Sequence, residues 1–81
     1  MAAAPTATAV LDYVVRSVVD DPDAVRVEVE EGDKVALSVH VADDDMGRVI
    51  GRRGRVATAI RTLVRAAASK DGVEVDVEFV D

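Results

Sequence analysis

Residues 46–57 read Met-Gly-Arg-Val-Ile-Gly-Arg-Arg-Gly-Arg-Val-Ala, and this stretch constrains the fold more than any other. Gly51 and Gly54 allow a tight turn and place no Cβ between the backbone and an approaching ligand. Apolar residues then recur at helical spacing at Val56, Ile60, Leu63, Val64 and Ala67, which predicts a helix ending near Lys70. Such a helix opens with unpaired N–H groups and the positive end of its dipole, a seat for a phosphate. Arg52 and Arg53, between the glycines, must point into solvent. Before the loop, a short helix is expected from about Asp44 to Ile50, stopped by Gly51. Asp43-Asp44-Asp45 reads as its N-terminus, where carboxylates cap free N–H groups and meet the dipole favourably. A metal site there is disfavoured, because three adjacent acids cannot all face one ion.

The remaining elements follow from the apolar period. Thr6 or Thr8 is placed to cap a first helix with an apolar stripe at Val10, Leu11, Val14, Val15, Val18 and Val19, and Pro22 ends it. Residues 1–5 read as a flexible tail and residues 6–81 as one domain. Tyr13, beside the stripe, reads as a packing residue. Strict alternation follows, with Val25, Val27 and Val29 on one face and Arg26, Glu28 and Glu30 on the other. Gly32-Asp33 signals a two-residue hairpin, and Val35, Leu37, Val39 and Val41 form the returning strand. His40 falls on the outward face, with no partner near it in sequence for acid–base or metal chemistry. After Asp71-Gly72, Val73, Val75, Val77 and Phe79 alternate in a last strand.

The order is therefore α-β-β-α-α-β. Two helices between the second and third strands make a crossover, so those strands run parallel, while the first two form an antiparallel hairpin. This predicts an α+β fold, a three-stranded mixed sheet with three helices on one face and the other face open. The residues expected on the open face include five acids and one arginine, so a polyanion is repelled from it.

Charge is segregated along the chain. Net charge is −6, yet residues 46–68 hold six arginines (48, 52, 53, 55, 61 and 65) and no acid. Such segregation draws an anionic ligand to one region while the remainder repels it. One Phe, one Tyr and no Trp exclude the rows of stacking aromatics used by RRM and OB-fold proteins. With no cysteine there is no disulfide framework or thiolate metal site. One isolated histidine and no phosphate-binding Gly-x-x-x-x-Gly-Lys-Ser/Thr loop argue against an enzyme, and no cofactor is expected. Met1-Ala2-Ala3-Ala4-Pro5 lacks the basic start of a signal peptide, and no apolar run reaches membrane-span length. A cytoplasmic protein without membrane attachment is expected.

The Gly-x-x-Gly loop set between two helices resembles that of KH domains, and the element order resembles their bacterial type II form. Asp21-Pro22-Asp23-Ala24-Val25, residues 49–61 and Ala66-Ala67-Ala68 are similar to the small single-KH proteins of the KhpA (YlqC-like) family, over about residues 8–81. Ala57 stands where many KH domains have a larger aliphatic residue, but KhpA-type proteins also carry a small one there. The resemblance implies a single-stranded RNA-binding protein with a global or chaperone-like role, clamping the phosphate backbone at Gly51, Arg52, Arg53 and Gly54. Arg48 and Arg55 would flank the clamp. Val49, Ile50, Val56 and Thr58 would line the base groove, with Arg61 and Arg65 further along the helix. It further implies a homodimer or a heterodimer with a larger KhpB (Jag-like) RNA-binding protein. The short segment at residues 69–72 offers few side chains for reading bases. The alternative is a KH-fold dimerisation or protein-interaction module with little RNA binding, against which Arg-Arg in the loop weighs.

Overall fold

Each change of apolar period marks an element in the computed structural model, which describes residues 3–80. Helix α1 (Pro5–Val18) is followed by strands β1 (Arg26–Glu30) and β2 (Val35–His40). Helices α2 (Met46–Ile50) and α3 (Arg55–Asp71) come next, and strand β3 (Val75–Val80) is last. Strand order is β1-β2-β3. β1 and β2 are antiparallel with Val27 opposite Val39 and Val29 opposite Leu37. β2 and β3 are parallel, with Leu37 opposite Val77 and Val39 opposite Phe79. This is the α-β-β-α-α-β order and the mixed sheet expected of a type II KH domain.

The core lies between the sheet and the helices. Leu11 and Val15 of α1, Leu37 and Val39 of β2, Val49 of α2, and Ile60 and Val64 of α3 are almost wholly buried. Burial of each such side chain stabilises the fold by about 1.5–3 kcal/mol. Ala57 and Ala68 complete the buried side of α3. Leu63, expected on this apolar side, is instead 52% exposed. It lies one position, or about 100°, round the helix from Val64. Tyr13, expected to pack, is 74% exposed and points away from the Leu11–Val15 stripe. Val29 is 41% exposed at the end of the edge strand.

Three local devices differ from the sequence pattern. Neither Thr6 nor Thr8 caps α1: the helix begins at Pro5, Ala4 precedes it with no side-chain cap, and both threonines lie inside. The Asp71 carboxylate takes the role instead, accepting from the Thr6 N–H at 3.0 Å and the Ala7 N–H at 2.9 Å. Ala4 is buried, so the domain begins before residue 6, and Met1 and Ala2 of the expected tail lie outside the described residues. The hairpin is wider than two residues, with Glu31–Lys34 between the strands. Gly32 does not take the positive φ that a tight two-residue turn demands.

Asp45 is the third. Residues 43–45 form a 3₁₀ turn leading into α2, and no side chain of it caps that helix. Asp45 turns inward, 2% exposed, and accepts from the backbone N–H groups of Asp20 at 3.1 Å and Asp21 at 3.0 Å. Two otherwise unpaired amides at the exit of α1 are thereby satisfied, and five-residue α2 is tied to that exit. Among the described residues no group of three acidic, histidine or cysteine side chains could hold a metal ion. No helix there is long and apolar enough to cross a membrane.

Candidate nucleic-acid interface

The loop joining α2 to α3 is built from left-handed backbone. Gly51 has φ 75°, Arg53 58° and Gly54 72°, and Arg53 is the one non-glycine residue with positive φ among the described residues. Such a conformation costs an L-residue roughly 1–2 kcal/mol. It is held here by the Gly51 N–H donating to the Gly47 carbonyl at 2.9 Å and the Gly54 N–H donating to the Gly51 carbonyl at 3.2 Å. The second glycine is also the residue before α3, whose first turn has no side-chain cap and no acid. The positive end of a seventeen-residue helix is thus left open to an anion.

Charge at the loop is uncompensated. Arg52, Arg53 and Arg55 are exposed, and none has a carboxylate within ion-pair distance among the described residues. With the free N–H groups of the α3 first turn they form a compact cationic surface. Such a surface offers positive charge and free N–H groups to an anion.

The structure does not bring every expected residue to this surface. Arg48 is committed: its Nη2 donates to Asp20 at 2.8 Å and its Nε lies 3.2 Å from Asp45. Its charge is already offset by two carboxylates. Val49 is fully buried and serves the core. Ile50 and Val56 are half-buried beside the loop, and Thr58 is exposed one turn into α3. Arg61 reaches away from the loop to β3, where its Nε donates to the Val77 carbonyl at 3.2 Å. Its guanidinium also lies over the Phe79 ring, 5.2 Å from the centroid. Arg65, one turn on, is exposed and joins no ion pair among the described residues.

The open sheet face has the composition that its alternation indicates, with Glu28, Glu74, Asp76 and Glu78 exposed. His40 finds a partner across the strands that local sequence does not reveal: its Nε2 is 2.6 Å from Glu28. The register explains it, since Glu28 faces Ser38 and lies diagonal to His40 on the same face.

The chain has relatives among known proteins. The KH-domain model of KhpA and KhpB matches residues 8–79. The chain is 50% identical over 72 residues to the RNA-binding protein KhpA of Leifsonia xyli, covering 88% of this chain and 92% of that one. It is 44% identical over 72 residues to the RNA-binding protein KhpA of Borreliella burgdorferi, covering 88% of each. Among solved structures it is similar to Era in complex with MgGDPNP and nucleotides 1506–1542 of 16S ribosomal RNA, with a TM-score of 0.71 at 16% identity. That likeness covers 98% of this chain but 30% of the Era chain, and it speaks for the fold alone.

Proposed function

The chain belongs to the KhpA/KhpB family of KH domains, and from that premise we propose that it binds single-stranded RNA through the Gly51-Arg52-Arg53-Gly54 loop. The observation that carries the reading is the union of left-handed backbone with unpaired Arg52, Arg53 and Arg55 at an uncapped helix start. The loop backbone can approach a phosphate closely, and the arginines and helix dipole offset its charge. A groove of this kind holds about four unstacked nucleotides and cannot read a closed A-form helix. Sequence-independent backbone contacts of this kind suit a chaperone-like role on many cytoplasmic RNAs.

The double variant Arg52→Asp/Arg53→Asp tests it. Both side chains are exposed, so stability should change by no more than about 0.5 kcal/mol in a thermal melt. Affinity for a single-stranded oligonucleotide should collapse. With Arg48 already paired, two to four phosphates remain to be neutralised by the wild type. Its log–log salt slope should then lie between about −1.4 and −2.8. Intact folding with intact RNA binding would mean that the loop is not the RNA site, whereas a wild type that binds no RNA would leave the protein-interaction reading in its place.

Self-association is a second, compatible reading, favoured by the outer surface of the helices. Arg61 marks the flank of α3 that faces β3; Leu63, two positions on, occupies the flank toward α1. Exposed Leu63 and Tyr13 are accompanied by exposed Ser17, Ala59, Thr62 and Ala66, with charge entering the α3 rows only at their two ends, Arg55 and Lys70. In a chain with 32% charged residues, a face uncharged at its centre on neighbouring helices suits burial against a second copy. A KH domain of a KhpB (Jag-like) partner is the other candidate for this face. Either pairing places two loops on one assembly and raises avidity for RNA.

A further inference from the structure

A cleft of about 340 Å³ opens at the end of α3 remote from the glycine loop, between Arg65 and Ser69, Glu74 and Asp76, and Lys34. It is continuous with one flank of the helix. Thr58, Arg61, Arg65 and Ser69 recur at steps of three and four residues and therefore share a face. Arg61 shows that this face looks toward β3, since it holds the Val77 carbonyl and covers the Phe79 ring. Arg55 and Arg65 are ten residues apart, about 15 Å of helix. A strand clamped at the loop and laid along this flank passes the Arg61–Phe79 stack and reaches the cleft within the reach of about four nucleotides.

The charges in the cleft are of both signs and are not spent on one another. Lys34, Arg65, Glu74 and Asp76 are all exposed, and no ion pair joins any of them within 4.0 Å among the described residues. Two cations here offset the acids that elsewhere make the sheet repel a polyanion. We propose that the cleft is a base-reading subsite that takes a guanosine of the bound single strand. This rests on the RNA-binding reading of the loop and adds a base preference to it.

The chemistry singles out guanine. An ionised carboxylate only accepts hydrogen bonds. Guanine presents two adjacent donors on its Watson–Crick edge, N1–H and the N2 amino group, which match the two oxygens of one carboxylate. Adenine and cytosine set an amino donor beside a ring nitrogen whose lone pair opposes the second oxygen. Uracil flanks its one N–H with two carbonyls that do the same. Glu74 or Asp76 receives the base edge, while Lys34 and Arg65 hold the adjoining phosphate.

The test uses the whole chain and fluorescence anisotropy with a labelled uridine hexamer, then hexamers with one guanosine moved through each position. One position should bind about tenfold more tightly than the all-uridine strand. In Glu74→Gln/Asp76→Asn, whose melt should match the wild type, the all-uridine strand should bind more tightly because repulsion is reduced. The guanosine preference should disappear. Arg65→Gln should weaken both strands together. A wild type with no guanosine preference, a preference that survives loss of both carboxylates, or unchanged affinities in Arg65→Gln would each overturn the assignment. Failure of the wild type to bind any strand would instead refute the loop as an RNA site and take this subsite with it.

Discussion

Gly51 and Gly54 are written alike in the sequence but are not equivalent in the loop. A Cβ on Gly51 would collide with Val56 Cγ2 and lie 2.8 Å from its Cβ, on a residue with φ 75°. Val56 cannot retreat, because it packs against the core. A Cβ on Gly54 meets nothing within 4 Å, so only its φ of 72° opposes substitution. Gly54→Ala should therefore cost about 1–2 kcal/mol of stability. Gly51→Ala should cost about 2–5 kcal/mol, since strain and overpacking add. Urea unfolding of the two variants separates these values, and equal losses would contradict the contact with Val56. The glycine spacing and the solvent-facing Arg52 and Arg53 were legible in the sequence. The left-handed Arg53 was not, because only its neighbours advertise that conformation. Nor were the commitments of Arg48 and Arg61, whose partners Asp20 and Val77 lie 28 and 16 residues away.

Among the elements, α1 depends on a residue outside itself. Partial burial pushes the Asp71 carboxyl upward, but hydrogen bonds from the Ala7 and Thr6 amides and the Thr6 hydroxyl outweigh it. They hold its pKa below the ordinary value of 3.8. A carboxyl lowered on folding stabilises the folded chain above its unfolded pKa, and that contribution is lost as pH falls through the folded value. Asp71→Ala should thus lower the melting temperature at neutral pH, with the difference from wild type shrinking as pH falls below 3.8 and through the lower folded value. A difference that persists in acid would mean that packing, and not the ionised cap, was removed. All six elements could be read from period and breakers, because core burial enforces the period locally. Caps could not, because Asp71 and Asp45 act across 64 and 25 residues. Alternation also could not show that Val29, at the end of an edge strand, escapes cover.

Across the whole molecule, charge divides by surface: arginines at the loop, acids on the open sheet, and an outer helical face uncharged at its centre. Leu63→Arg places a charge in the centre of that third surface without touching the loop. Being half-exposed, the position should tolerate the change with a loss of no more than about 0.5 kcal/mol. Sedimentation should show a dimer in the wild type and a monomer in the variant, and RNA affinity should fall through lost avidity. A wild type that sediments as a monomer at all concentrations would remove the second reading. The cap at Asp71 also has a consequence in time. Synthesis proceeds from the N-terminus at about 5–20 residues per second, so the 64 residues from Ala7 to Asp71 take roughly 3–13 s to appear. A fourteen-residue helix with no side-chain cap of its own is marginal in water over that interval. Although α1 is made before α2 and α3, it is completed only when the end of α3 arrives, and until then Leu11 and Val15 lack the elements that cover them.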